Sequence, residues 1–139
     1  MDCPFCEIIE KNTERIIRQT EHTFTVLSDP RLMPGHLLVI PKRHIQRLSE
    51  LDEQERAEML DEVAILEDII LNNVAPGCDI SQHFRPFIPQ GRLKVDHLHI
   101  HLRPRTFEDE LYKKVQIYEK EVFKELPAEE FQKYKTLFS

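Results

Sequence analysis

Asp96-His97-Leu98-His99-Ile100-His101-Leu102 sets three histidines in strict alternation with apolar residues. In a β-strand successive side chains point to opposite faces, so His97, His99 and His101 share one face while Leu98, Ile100 and Leu102 share the other. A helix would scatter them around its axis. The stretch therefore predicts a strand, Lys94 to Arg103, that carries a row of imidazoles about 7 Å apart and anchors to a core through its apolar face. Such a row is a candidate site on a rigid element; the alternatives are a chance cluster of exposed histidines or a metal patch.

Working outward, Pro89-Gln90-Gly91-Arg92 makes a turn into this strand, and Asp79 to Phe87 reads as another strand after the Pro76-Gly77 stop. His36 to Ile40 is a short apolar strand that Pro41 ends, since proline supplies no ladder donor. Between these lies a long amphipathic helix. Asp52 caps it with Glu55 three positions on, and Met59, Val63, Leu66, Ile70 and Val74 follow helical spacing to about Asn73. Leu60, Ile69 and Leu71 widen that stripe, and Glu58, Asp61, Glu62 and Asp68 form its solvated side. Upstream, Glu7 to Lys11 is a helical turn, and Glu14 to Gln19 and Thr23 to Ser28 pair as a hairpin around Glu21-His22. The loop from Asp29 to Gly35 carries two prolines and a glycine. Downstream, Phe107 to Glu125 reads as a charged helix, and Pro127 starts a last short one. Paired strands, one long helix and terminal helices give an α+β fold with an antiparallel sheet.

The chain of 139 residues, 40% hydrophobic, is expected to form a single domain over 1–139, with a helical extension over about 106–139. A net charge of −6 argues against binding nucleic acid or an anionic membrane through a broad basic field. No apolar run approaches a membrane span and Met-Asp-Cys-Pro lacks signal-peptide character, so a cytoplasmic protein is expected. Three cysteines are too few and too odd for a disulfide framework. Cys3 and Cys6 read instead as a thiolate metal pair, because a thioredoxin-like redox pair would follow a strand. Cys78 stands alone and is read as inert. His22 and His83 lie in no motif and are read as surface or structural residues.

Asp96 to Arg105, with the histidine row at its centre, resembles the signature of the histidine triad (HIT) family of nucleotide hydrolases and transferases. Pro34-Gly35-His36 through Pro41-Lys42-Arg43-His44 resembles that family's second block, and Cys3-Pro4-Phe5-Cys6 the opening of its zinc-containing members. The likeness runs from residue 3 to about residue 105. It implies a HIT-like fold of about five strands and a homodimer. It also implies attack by His99 on the α-phosphate of a nucleoside phosphate derivative, through a covalent nucleotidyl-histidine that water resolves to the monophosphate. His101 would face the phosphate oxygens, donating hydrogen bonds and assisting proton transfer to the leaving group. The relative galactose-phosphate uridylyltransferase implies a structural zinc on Cys3, Cys6, His44 and His97 that pins the N-terminus against the strand. The alternative leaves the cysteines reduced and His97 hydrogen-bonded inside the site.

The same resemblance implies His36 near the phosphate, Asp29 accepting from the ribose hydroxyls, and Leu27 and Phe5 beside a base, usually purine. A capping Asp29 and a structural, partly buried His36 stand as the other reading. One departure precedes the triad. Where many members carry an amide and a Gly-Gln-Ser/Thr segment against the phosphates, this chain has Arg85 to Val95, in which Gln90, Arg92 or Lys94 could replace those contacts. Dinucleoside polyphosphates and adenosine phosphoramidates are both open as substrates. A nucleotide-binding or zinc-stabilised interaction module with little turnover is the competing reading. A redox or metal-carrier role for Cys3 and Cys6 is a third, and it leaves the triad unexplained.

Overall fold

Pro4 opens the first helix, since a proline at the first helical position loses no hydrogen bond, and Cys3 caps it by accepting from the Cys6 amide. In this computed structural model, which describes residues 3–115 and 121–139, that helix (α1) runs Pro4–Lys11 and buries Phe5 and Ile8. It starts three residues before the helical turn read from sequence. The Cys-Pro pair supplies both the cap and the first turn.

Strands β1 (Ile16–Gln19) and β2 (Thr23–Leu27) form the expected hairpin, closed by the Thr20 amide donating to the Thr23 carbonyl at 2.9 Å. β2 pairs with β3 (Leu37–Pro41), β3 with β5 (Ile100–Arg105), and β5 with β4 (Gly77–Ser81). All are antiparallel, in the order β1-β2-β3-β5-β4. The apolar run of β3 is explained by burial on both faces. Leu37 and Val39 pack with Met59, Val63, Leu66 and Ile70 of the long helix α2 (Glu53–Asn73), whereas Leu38 and Ile40 pack with Phe5 and Ile8 of α1.

Both strands around the histidines differ from the sequence expectation. β4 begins at Gly77 and stops at Ser81, because its last partner is His101 and β5 begins only at Ile100. Residues 82–87 therefore have no ladder to join. On the other side Pro41 has no N–H to offer residues 97–99; the Leu98 amide donates instead to the Ile45 carbonyl at 2.6 Å. The predicted strand over 94–103 is thus an irregular approach followed by a strand over 100–105. The alternation of faces survives this change. Leu98, Ile100 and Leu102 join the α2-side core, and the histidines face away from it.

α2 carries the predicted capping box between Asp52 and Glu55. Its polar side is less solvated than the sequence suggests. Glu62 is buried and accepts from Arg18 Nη2 at 2.9 Å, while Leu60, Ile69 and Leu71 are exposed and do not widen the core stripe. Burial follows the tertiary partner: Arg18 of β1 draws an acid inward, and no strand lies over Leu60. Glu55 is also buried, held by both nitrogen positions of the Arg43 fork.

Glu58 fastens the hairpin to α2, accepting from Thr20 Oγ1 at 2.7 Å, from the His22 amide at 2.9 Å and from the His22 ring. The bond to Glu58 raises the His22 pKa above 6.5, and the bonds from Thr20 and then His22 depress Glu58 from 4.5 to about 2. The His22 contribution is complete below its unfolded pKa and is lost as pH rises through the raised folded value. The Glu58 contribution is complete above 4.5 and is lost as pH falls toward about 2. Glu58→Gln keeps the acceptor but not the charge. It should therefore lower Tm by a few degrees at most, and by more at pH 5.5 than at pH 8.5. An equal loss at both pH values, read by thermal denaturation, would show that the His22 charge contributes nothing.

By contact the chain divides into two units, Met1–Phe107 and Glu108–Ser139. The second holds α3 (Glu110–Lys114), capped by Asp109, and α4 (Ala128–Phe138), which follows Pro127 as expected. The continuous helix predicted over 107–125 is not found. Residues 110–114 are helical and 123–127 are not, and 116–120 lie outside the described residues. No helix among the described residues is long and apolar enough to cross a membrane.

Candidate functional site

Four of the predicted residues converge at the start of α1. Cys3 and Cys6 come from its first turn, His44 from the segment that follows β3, and His97 from the bend before β5. Cys3 Sγ lies 3.3 Å from His97 Nδ1, Cys6 Sγ lies 3.4 Å from His44 Nδ1 and 3.6 Å from His97 Nδ1, and the two Nδ1 atoms are 3.1 Å apart. Bonds of about 2.3 Å to sulfur and 2.0–2.1 Å to nitrogen place the corners of a tetrahedral zinc shell about 3.3–3.8 Å apart. The four atoms therefore fit such an ion and could hold a metal.

Their surroundings also suit a cation. His97 Nε2 donates to the Pro41 carbonyl at 2.8 Å, which leaves the Nδ1 lone pair turned into the cluster. Burial and the neighbouring Cys3 push the Cys6 thiol up to about 11, and burial lowers His97 to about 4. Neutral imidazoles are ready ligands, and a Cys6 thiol whose ionisation is disfavoured needs a positive ion to become a thiolate.

On the cavity side of Phe5, whose ring makes edge contacts with both His97 and His99, lies a pocket of about 470 Å³. Its lining includes Asp29 from the loop after β2, His36 immediately before β3, Leu38 of β3, and His99 and His101. Hydrogen bonds assign the tautomer of each histidine in turn. His99 Nδ1 donates to the His97 carbonyl at 2.7 Å, so its Nε2 keeps a free lone pair. The Leu32 amide donates to His36 Nδ1 at 3.2 Å, so His36 carries its proton on Nε2 and donates it to His101 Nδ1 at 2.9 Å. His101 is left with its own proton on Nε2. One imidazole thus presents a lone pair and its neighbour a donor, their ring centroids 4.8 Å apart. Burial lowers His99 below 6.5, His36 to about 4 and His101 further still, with adjacent rings and Arg103 adding to the last. All three are neutral at neutral pH, the form in which an imidazole can attack.

Several residues of this pocket depart from the sequence expectation. Leu27 ends β2 half exposed and does not line the cavity. Gln90 does not line it either; its Oε1 accepts from the Asp96 amide at 2.9 Å and tethers the approach to the histidines. Lys94 does line it, with its ammonium bonded to Asp96, and Arg92 lines it as well. His83, a surface or structural residue by sequence, has its ring 5.4 Å from that of His101 inside the cavity. Arg31, Arg85 and Arg103 also line it, so five cationic side chains face Asp29, the one acid in the lining. Alternation offers a signal for Arg103, which follows His101 by two on the same face of β5. No comparable signal exists for His83 and Arg85, which lie beyond the end of β4.

A family model described as "Scavenger mRNA decapping enzyme C-term binding" matches residues 2–117. The adenosine 5'-monophosphoramidase of Schizosaccharomyces pombe is 26% identical over 113 residues, covering 78% of this chain and 78% of that protein. The AP-4-A phosphorylase of Mycobacterium tuberculosis is 29% identical over 106 residues, 73% of this chain but 53% of that protein, so the chain spans about half its length. A Zn-bound histidine triad family protein from Mycobacterium smegmatis superposes with a TM-score of 0.66 at 26% identity, over 80% of each chain.

Proposed function

Because the matching family model spans residues 2–117 of 139, the chain belongs to the histidine triad family, and from that premise we propose a nucleotidyl hydrolase or transferase acting at the α-phosphate of a nucleoside phosphate derivative. The observation that carries this reading is the pair of opposite tautomers, a free His99 Nε2 lone pair beside a His101 Nε2–H donor. His99 Nε2 attacks phosphorus, forming a phosphorus–nitrogen bond as the bond to the leaving group breaks. His101 donates to the phosphate oxygens and assists proton transfer to the departing group, held to that role by His36. Water then attacks the nucleotidyl-His99, releasing the nucleoside monophosphate and the free imidazole. Asp29 accepts from the ribose hydroxyls and Phe5 packs against the base, with a purine as the expected occupant. Lys94 completes the phosphate end.

The S. pombe relative's name supports a phosphoramidate substrate and the M. tuberculosis relative's a dinucleoside polyphosphate. Initial rates of AMP release from adenosine phosphoramidate and diadenosine tetraphosphate test the reading. Release from neither, with AMP still bound, would favour the second reading of a binding module, to which the replaced phosphate-contacting segment lends support.

For the metal cluster we infer a structural zinc on Cys3, Cys6, His44 and His97, with no contact to the substrate. It would supply only a fixed frame, holding α1 and the His97 backbone whose carbonyl orients His99. A homodimer is in keeping with the exposed Leu60 and Leu71 of α2, Val74 at its C-cap, and Ile80 on the outer strand β4. The free Cys3, Cys6 and Cys78 accord with a cytoplasmic location.

A further inference from the structure

Arg103 is one of the cavity's basic residues that the proposed chemistry leaves without a task. It follows His101 on the same face of β5, opposite Asp79 in the β4–β5 register. Asp79 does not satisfy it, because that carboxylate is bonded to Arg105 Nη1. Among the described residues no carboxylate forms an ion pair with Arg103, and its Nε is buried without a hydrogen-bond partner. A buried guanidinium nitrogen without a partner is costly unless an anion completes the site. Arg85 also lines the cavity, and the His83 ring lies 5.4 Å from that of His101. Burial, opposed in part by Asp79 and reinforced by Arg105 and Arg85, pulls the Arg103 pKa down, a penalty that bound negative charge would relieve.

The direction of the strand assigns this charge to a particular part of the substrate. His99, His101 and Arg103 succeed one another along β5 and its approach, their backbone positions about 7 Å apart. In an in-line displacement the leaving group departs on the side of phosphorus opposite the nucleophile. With His99 attacking and His101 at the phosphate oxygens, that side lies toward Arg103.

We propose that Arg103, flanked by His83 and Arg85, is a specificity-determining residue that grips a second anionic group of the substrate, carried by the leaving group beyond the scissile phosphate. The preferred substrate is then a nucleotide whose leaving group is itself phosphorylated, and a neutral amine leaving group forgoes the contact. A guanidinium fork suits a phosphate better than a lysine ammonium does. This inference rests on the nucleotidyl-transfer reading.

The test compares wild type, Arg103→Met and Arg103→Lys on diadenosine tetraphosphate and adenosine phosphoramidate. The ratio of kcat/KM for the first substrate to that for the second should fall about 10- to 100-fold in Arg103→Met, as expected for a charged hydrogen bond, and recover in part in Arg103→Lys. An unchanged ratio would overturn the proposal. Competition in the wild type gives a readout that needs no variant to fold. ADP should inhibit more strongly than AMP, since its second phosphate reaches Arg103, and equal inhibition by the two nucleotides would also overturn it. A wild type that turns over neither substrate and binds neither AMP nor ADP removes the nucleotide reading itself and this role with it.

Discussion

His99→Ala should lower kcat by about 10⁴-fold or more, because removing a nucleophile leaves only binding and charge stabilisation to act on the substrate. The fold should survive. His99 is partly exposed to the cavity, and the core beside it is built by Leu98, Ile100 and Leu102 on the opposite face. A melting curve close to wild type would separate lost chemistry from lost structure. The pH profile adds a signature for the intact protein. Burial lowers the His99 pKa below 6.5, and its neutral form is the attacking one. The acid-side decline in activity should therefore be centred below pH 6.5. A profile already falling above pH 7 on the acid side would place the essential base elsewhere. So would an alanine variant that kept most of its activity.

Removal of the inferred zinc should have the second large effect, on stability more than on rate. An ion present at about a thousand times its Kd adds about 4 kcal/mol to the folded state if it binds the folded chain alone. For a domain of this size that corresponds to a fall in Tm of more than about 10 °C on strong chelation. Purified protein should carry about one zinc per chain, as a closed structural site implies. Cys3→Ser, Cys6→Ser and His44→Ala should each lower that content. Activity should fall less than in His99→Ala, because the cluster takes in the His97 end of the histidine row while His99 and His101 line the cavity. Unchanged metal content in the Cys3→Ser Cys6→Ser double variant would leave the thiols without a function.

Strict periodicity makes the histidine row legible from sequence alone. It assigns the faces of residues 97–102 correctly even though the ladder begins only at Ile100, since side-chain alternation persists in extended chain without hydrogen-bonded partners. The long helix is legible from its Asp52–Glu55 capping box and its Met59, Val63, Leu66, Ile70 stripe. Its flanks are not, because the burial of Glu62 depends on Arg18, 44 positions away in the chain. Local pattern carries no information about such a partner. Spacing alone marks Cys3 and Cys6 as a thiolate pair, but their convergence with His44 and His97 is legible only through resemblance, since nothing local in the four residues states it. The cavity's charge is the least legible feature. His83 and Arg85 reach it from a segment that sequence propensity assigns to a strand, and Gln90, a candidate for the phosphates by sequence, spends its side chain on the Asp96 backbone.

The central claim is that catalysis passes through a covalent nucleotidyl-His99, and rapid acid-free quenching of the wild type during turnover tests it most directly. With substrate labelled in the adenosine moiety, denatured protein should retain label in an acid-labile bond, and peptide mapping should locate it at His99. Label should be absent from His99→Ala. A wild type that turns over substrate with no retained label at the shortest times, or with label on His101 or His36, would contradict the account.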